Sequence, residues 1–282
     1  MKKIIFLGSR THVFDSAIKM GIEFDHVFAL KGSLLESKLI SEDIEHKSFD
    51  MTQKKEVLNF LYKSNFEVLV SNGCPIVFPV EKFDASQILV NIHPTYLPFL
   101  QGKTPLNGVF YNDYAFYGAT MHFIDATIDT GNIIYQHKEE ITPDVDLGLL
   151  YFLAFELEGF VFRKGWEILK ANRFRYSGEK QQGKADYFNR TKEKQQVDFE
   201  RMGNKELIRK VKSFGIASQG CYTKLNDRDY RIFEVEEIVH PALLERFGTS
   251  LAGEILLAYD KKLLVKSKDG ILKLKVFQTE NE

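Results

Sequence analysis

The sequence predicts an α/β protein with a Rossmann-like, doubly wound sheet, followed by a small C-terminal β-barrel-like domain of the OB type. Three observations predict this organisation. Short apolar runs alternate with helical patterns through the first half of the 282-residue chain, as they do in parallel sheets. A long helical pattern then gives way to a polar, basic stretch. Strand patterns separated by turn signals occupy the remaining third.

Continuous apolar runs in the first half predict buried strands, because strands covered on both faces carry apolar side chains at every position. The runs lie at 2–7, 26–30, 66–70, 88–92, 120–124 and 133–135. Apolar residues at helical spacing predict helices at 13–20, 54–62 and 147–169. Ligands of a doubly wound sheet bind where its strands end, so the loops after these runs are the expected site.

The second half of the chain predicts a linker and a separate β domain. Residues 171–199 scatter Lys and Arg among Gln, Gly and Asn, which is typical of a solvated surface strip. One helix is expected at 205–214. Strand patterns follow at 231–239, 254–258, 263–266 and 271–277. We therefore expect two domains, residues 1–184 and residues 185–282, the second of them OB-like.

Composition argues against several classes of protein. With 44% hydrophobic residues, 27% charged residues and a net charge of −1, the chain lacks the basic excess of a dedicated nucleic-acid-binding protein. Two distant cysteines, Cys74 and Cys221, form neither a disulfide framework nor a metal-ligand cluster. We therefore expect a cytoplasmic protein without a metal. No apolar run approaches the ~20 residues of a membrane span, so no membrane association is expected.

An amide, an imidazole and a carboxylate stand at the ends of apolar runs. Asn91 and His93 close the run at 88–92, and Asp129 lies in the turn Ile128-Asp129-Thr130-Gly131. Such a set can orient an amine, accept its proton and hold an oxyanion. Taken alone, Asn91 is compatible with a strand cap and His93 with a structural turn. Their combination with Asp129 favours a catalytic role. His122 and His137 lie inside predicted strands and are expected to be packing or surface residues.

Together with the segments between them, these residues resemble the folate-dependent formyltransferases. The shared pattern comprises Asn91-x-His93, Leu97-Pro98, Gly102 with Pro105, and Asp129-Thr130-Gly131. The similarity continues at Lys184-Ala185-Asp186-Tyr187 and in the last strands of the C-terminal domain. It covers most of the chain and is most specific over residues 71–135.

The resemblance implies that 10-formyltetrahydrofolate donates a formyl group to a primary amine. Asn91 would donate a hydrogen bond to the oxyanion. His93 would accept the proton of the amine or, alternatively, donate to the oxyanion, and the sequence leaves both roles open. Asp129 would fix the tautomer and orientation of His93 or relay a proton through water.

The resemblance also implies where the two substrates bind. The expected folate residues are Asn72, Gly73, Cys74, Pro75, Ile76, Ile124, Asp125 and Thr127. A glycine-containing loop exposes backbone groups that can pair with the edge of a pterin, while apolar neighbours cover its faces. The expected acceptor residues are Gln101, Gly102, Lys103, Thr104 and Pro105.

The first hypothesis for the acceptor is a nucleotide-linked amino sugar (a dTDP-, UDP- or GDP-sugar), which would place the reaction in lipopolysaccharide O-antigen biosynthesis. Phe99, Leu100 and Gln101 stand where the tRNA enzyme of the family usually carries Arg-x-Arg-Gly. The segment 31–48 is short and mixed in charge. The strand at 120–124 contains His122, as the sugar enzymes often do.

The alternative is methionyl-tRNA formyltransferase, which the basic linker and the barrel-like C-terminal region support because both can lie along RNA. A non-catalytic folate- or nucleotide-binding module is disfavoured, since binding alone needs no acid–base set. The sequence leaves the oligomeric state open, with a homodimer as the expectation.

Overall fold

The computed structural model describes residues 2–279, which fold as two compact units. The first unit contains the described residues as far as Pro105, together with Phe116–Glu140 and Tyr151–Phe188. The second contains Leu106–Ala115, Ile141–Leu150 and the described residues from Asn189 onward. Two short segments from within the predicted catalytic domain, residues 1–184, therefore belong to the second unit. The domain boundary after residue 184 stays a prediction.

A seven-stranded mixed sheet forms the first unit and confirms the predicted fold class. Its strands are β1 (Ile4–Gly8), β2 (His26–Leu30), β3 (Lys47–Phe49), β4 (Val68–Asn72), β5 (Ile88–His93), β6 (Phe116–Phe123) and β7 (Ile133–Glu140). They are ordered β3-β2-β1-β4-β5-β6-β7. The first five run parallel, whereas β6 is antiparallel to β5 and β7 is antiparallel to β6.

The helices of the chain's first 171 residues are α1 (His12–Lys19), α2 (Leu34–Ser41), α3 (Lys54–Lys63), α4 (Pro105–Tyr111) and α5 (Leu147–Ala171). The short α2 and α4, of eight and seven residues, were not predicted from the sequence. Ser33 caps α2 by accepting a hydrogen bond from the Glu36 N–H at 3.2 Å. Thr11 stands at the N-cap of α1, as predicted, but its side chain makes no capping bond.

The core of the first unit lies on both faces of β1. All five residues of this strand are buried, and successive side chains point to opposite faces. Leu7 packs into a cluster that includes Val57 and Leu61 of α3. On the opposite face Phe6 meets Phe14 of α1 edge-to-face, with ring centroids 5.5 Å apart. Burial of each such side chain stabilises the fold by ~1.5–3 kcal/mol.

The C-terminal unit contains a five-stranded antiparallel sheet, which confirms the predicted antiparallel β domain in this part of the chain. Its strands are β8 (Cys221–Leu225), β9 (Arg228–Glu237), β10 (Ile255–Tyr259), β11 (Lys262–Lys266) and β12 (Ile271–Thr279), ordered β10-β11-β12-β9-β8. Its helices are α6 (Lys192–Gln195), α7 (Asn204–Phe214) and α8 (Pro241–Arg246). The amphipathic α7 buries Leu207, Val211 and Phe214. Among the residues that the structure describes, no helix combines the length and the apolar character needed to cross a membrane.

Replacement of Leu7 by Ala should lower the free energy of unfolding by ~2–5 kcal/mol, because the side chain is fully buried and a cavity would remain. Urea unfolding followed by circular dichroism measures this change. Leu34→Ala is the matched control, since that leucine is 70% exposed and should change stability by less than ~0.5 kcal/mol. Equal losses in the two variants would contradict the assignment of β1 to the core.

Candidate active site

A cleft of about 400 Å³ opens where β4 and β5 end. Its walls come from the loop after β4, from Gly102, Lys103 and Pro105 at the start of α4, and from the loop that joins β6 to β7. All of these belong to the first unit. The cleft therefore lies at the carboxyl edge of the parallel strands, where the fold class predicts a ligand site.

The imidazole of His93 and the carboxylate of Asp129, the predicted acid–base pair, lie side by side in this cleft. The Nδ1 atom of His93 lies 3.4 Å from Oδ2 of Asp129, and the two side chains are 5% and 10% exposed. The Nε2 atom of His93 lies 3.0 Å from the carbonyl oxygen of Leu100. Because a carbonyl oxygen only accepts, Nε2 carries the proton in the neutral ring. The nitrogen that can gain a proton is therefore Nδ1, beside the carboxylate.

His122, predicted to be a packing or surface residue, is buried and lines the cleft. It pairs with Asn91 across β5 and β6, and its Nε2 lies 3.2 Å from the Asn91 amide nitrogen. Its Nδ1 lies 2.8 Å from the Phe123 carbonyl oxygen and so carries a proton. Burial lowers the pKa of His122, although the Asp129 carboxylate opposes the shift. The neutral ring accepts from Asn91 and thereby orients its amide.

The turn that carries Asp129 has an unusual backbone. Asp129 adopts φ +59°, a left-handed conformation that costs an L-residue about 1 kcal/mol. Its Oδ2 accepts a hydrogen bond from the Gly102 N–H at 3.0 Å. Gly131 is required for close approach, because a Cβ there would lie 1.8 Å from the Phe123 carbonyl oxygen. The Asp-Thr-Gly sequence thus reflects a tightly constrained loop.

Most of the expected folate residues line the cleft. They are Gly73, Cys74, Pro75, Ile76, Ile124, Asp125 and Thr127. Asn72 does not line the cleft, and its contact with folate stays a prediction. β4 continues through Asn72, two residues beyond the predicted strand end, so Ser71 and Gly73 face the cleft while Asn72 faces away. Its side chain is buried and donates to the Ile92 carbonyl oxygen at 3.3 Å.

The expected acceptor residues divide in the same way. Gly102, Lys103 and Pro105 line the cleft, and Thr104 is not part of its lining. Gln101 is buried at 8% exposure, and its Nε2 donates to the Asp129 carbonyl oxygen at 3.2 Å. In this structure the Gln101 side chain therefore supports the Asp129 turn, and its contact with an acceptor stays a prediction.

Cys74 lines the cleft without the properties of a nucleophile. Burial raises the pKa of its thiol to about 12, so the thiolate is scarce at neutral pH. Within residues 2–279, no three His, Cys, Asp or Glu side chains are grouped so that they could hold a metal ion together.

Arg10, which follows β1, also lines the cleft and was not predicted as a site residue. Its guanidinium pairs with Glu158 of α5 and lies 4.2 Å from the centre of the Phe155 ring. Glu158 is fully buried. Burial raises the pKa of Glu158 to about 7, although Arg10 and Asn72 act in the opposite direction. The Glu158 carboxyl therefore gains or loses its proton near neutral pH.

Both parts of the chain match the formyl transferase family. Residues 29–161 match the formyl transferase domain, and residues 189–282 match the formyl transferase C-terminal domain. A methionyl-tRNA formyltransferase of Caldanaerobacter subterraneus subsp. tengcongensis is 26% identical over 80% of this chain and 70% of the relative. That of Clostridium tetani is 23% identical over 99% of this chain and 92% of the relative.

Solved structures share the fold at lower identity. An N-formyltransferase from Helicobacter canadensis, in complex with folinic acid and dTDP-3-aminofucose, has a TM-score of 0.68 at 19% identity and covers 99% of this chain and 100% of its own. HypX from Aquifex aeolicus, in complex with tetrahydrofolic acid, has a TM-score of 0.68 at 14% identity and covers 99% of this chain. The match spans only 44% of the HypX chain.

The raised pKa of Glu158 should make stability depend on pH. In the unfolded chain this carboxyl loses its proton near 4.5, whereas in the folded protein it keeps it to about 7. Its contribution is therefore fully present below pH 4.5 and is lost as the pH rises through 7, by about 3 kcal/mol. Urea unfolding at several pH values should show this decline in the wild type.

Glu158→Gln should remove that part of the pH dependence, because the amide stays neutral throughout. Glu156→Gln is the matched control, since Glu156 lies on the same helix and is exposed. An unchanged slope between pH 4.5 and 7 in Glu158→Gln would contradict the assignment.

Proposed function

We propose that this chain, which belongs to the formyl transferase family and is a folate-dependent N-formyltransferase, formylates the primary amine of a nucleotide-linked amino sugar. The observation that carries the proposal is the His93–Asp129 contact at 3.4 Å inside the cleft, with Asn91 on the same strand. The formyl donor is a tetrahydrofolate derivative, which we propose to be 10-formyltetrahydrofolate.

His93 acts as the base in this proposal. Its Nε2–H is held by the Leu100 carbonyl oxygen, which leaves the lone pair of Nδ1 to accept a proton. Once Nδ1 is protonated it donates to the Asp129 carboxylate, and this charge-assisted hydrogen bond favours proton transfer from the amine. The competing role, a His93 N–H donated to an oxyanion, is less well supported because Nε2–H is already engaged.

Asn91 supplies the electrostatic part of the mechanism. When the amine attacks, negative charge develops on the formyl oxygen, and an amide N–H can stabilise it. One N–H of Asn91 is directed to Nε2 of His122, so the rotation of the amide is fixed before the substrate arrives. Removal of one such preorganised donor typically costs ~3–4 kcal/mol in the barrier.

The cleft is compatible with a folate. Gly73 has φ +66°, and a Cβ there would lie 2.5 Å from the Ser9 hydroxyl oxygen. Only a residue without a side chain fits here, so its backbone forms part of the cleft wall. Ile76, Val77 and Ile128 supply apolar surface to the same cleft, and Val77 and Ile128 are 49% and 38% exposed. The pterin ring of a folate, which is flat and carries polar atoms along its edge, suits such walls. The formyl group of the bound folate would then lie next to His93.

The segment before Gly102 favours a sugar acceptor over tRNA. Phe99 packs edge-to-face on Phe116 at 5.8 Å, Leu100 is 3% exposed and Gln101 supports Asp129. No cation stands in these three positions, whereas an RNA backbone is bound through several cations. The cations in the cleft lining are Arg10 and Lys103, which suit the compact charge of a sugar-linked diphosphate.

Methionyl-tRNA is the second candidate acceptor. It is favoured by the sequence relatives, which are methionyl-tRNA formyltransferases that match up to 99% of this chain. The Helicobacter canadensis structure with dTDP-3-aminofucose supports the sugar instead. Cytoplasmic location, a homodimer and a place in O-antigen biosynthesis stay predictions.

His93→Ala and Asp129→Asn should each lower kcat by ~10²–10⁴-fold, because each removes a partner in proton transfer. Formation of the N-formyl product is measured by mass spectrometry, and circular dichroism checks the fold. His137→Ala is the matched control, because that histidine side chain is 42% exposed on β7. Activity of either site variant within a few-fold of the wild type would refute the assignment.

A panel of dTDP-, UDP- and GDP-linked amino sugars should contain an acceptor with a higher kcat/KM than aminoacylated initiator tRNA. A sugar reaction should also depend weakly on salt, whereas tRNA binding weakens steeply as salt rises because counterions are released. Preference for the tRNA, accompanied by a steep salt dependence, would reverse the choice of acceptor.

A further inference from the structure

We propose that Gln181 is a positioning residue for the reaction, because its amide holds the Asp129 turn in the conformation that presents the carboxylate to His93. The proposal rests on the proposed function. It assigns a catalytic task to part of the segment that the sequence predicts to be a solvated linker. We call residues 179–188 the strap.

The strap is attached by backbone hydrogen bonds at both ends. At one end, Glu179 and Ile133 exchange two bonds of 2.7 and 2.8 Å, which joins the strap to the start of β7. At the other end, Gln101 donates to the Asp186 carbonyl oxygen at 2.9 Å and accepts from the Phe188 N–H at 2.8 Å. The strap therefore connects the loop that carries Asp129 with the segment around Gln101, which lies next to His93.

The side chain of Gln181 contacts the catalytic turn between these attachments. Its Nε2 donates to the carbonyl oxygens of Asp129, at 2.8 Å, and of Gly131, at 2.9 Å. Its Oε1 lies 3.4 Å from Nε2 of Gln101, which itself donates to the Asp129 carbonyl oxygen. Since both carbonyl groups only accept, the NH₂ end of Gln181 must face the turn. One side chain thus spans the residues on either side of Thr130.

The position of the Asp129 carboxylate is set by the backbone of its turn. Asp129 is left-handed at φ +59°, a conformation that Asp adopts more readily than most residues but that is only one of those open to it. A change in its backbone angles would rotate the carboxylate away from the Gly102 N–H and from Nδ1 of His93. These partners now lie 3.0 and 3.4 Å from Oδ2.

Loss of Gln181 should affect the reaction more than the fold. Gln181 is half-buried, so water can reach the two carbonyl oxygens and replace its hydrogen bonds. The backbone attachments of the strap do not involve the side chain. What water does not replace is the fixed geometry, and a misplacement of ~1 Å at a catalytic group can cost ~10²-fold in rate.

The test compares Gln181→Ala and Gln181→Met with Gln182→Ala. Met keeps the length of the side chain without its donors, and Gln182 is the exposed neighbour. Both Gln181 variants should lower kcat by ~10–100-fold, with KM for each substrate within about 3-fold of the wild type and a nearly unchanged Tm, while Gln182→Ala stays at the wild-type rate. Because Gln181 acts through Asp129, adding Gln181→Met to Asp129→Asn should cost less than about 3-fold more.

Two results would overturn the role of Gln181. One is a rate for Gln181→Met equal to that of Gln182→Ala. The other is a loss that multiplies fully with the loss in Asp129→Asn, which would show that the two residues act independently.

A readout without turnover separates this proposal from the proposed function. The ring ¹⁵N resonances of His93 report the protonation and hydrogen bonding of Nδ1, whatever the acceptor is. They should change in Gln181→Met and in Asp129→Asn but not in Gln182→Ala. If the wild type formylates no amine while these shifts behave as expected, the proposed function fails and the positioning role stands. Unchanged shifts in Gln181→Met would reject the positioning role itself.

Discussion

The imidazole of His93 and the carboxylate of Asp129 meet because the end of β5 and the loop after its neighbour β6 lie at one edge of the sheet. His93 ends β5, and Asp129 lies in the loop between the antiparallel β6 and β7. Their separation of 3.4 Å depends on a left-handed backbone at Asp129, on a glycine pressed against the Phe123 carbonyl oxygen, and on amide donors from outside the loop. The chemistry of the cleft therefore rests on how rigidly one turn is held.

Burial gives the neighbouring titratable groups different tasks. His122 is kept neutral because desolvation lowers its pKa, and the neutral ring can accept from Asn91. Desolvation raises the pKa of Glu158 to about 7 even beside Arg10. This carboxyl therefore keeps its proton at pH values where an exposed carboxyl would lose it. The same physical effect thus keeps one base unprotonated and one acid protonated.

In the proposed function, the choice of acceptor depends on residues that surround the His93–Asp129 pair. Phe99 and Leu100 pack inward, and Gln101 supports Asp129, so the segment contributes packing and rigidity. In the family's tRNA enzyme, the resemblance implies arginines at these positions. A family that retains one acid–base arrangement can in this way change its amine substrate by changing what stands beside it.

Local patterns in the sequence determined the alternation of strands and helices, the β-rich C-terminal unit, and the set of Asn91, His93 and Asp129. Each of these depends on the order of residue types along the chain. Only the tertiary structure decided that Asn72 faces away from the cleft and that His122 and Gln181 contact the site. Side-chain direction at a strand end depends on where the strand stops, and the partners of β6 and of the strap lie far away in sequence. The apolar pattern of one strand or loop does not say which distant segment will contact it, so these contacts appear only once the sheet is assembled.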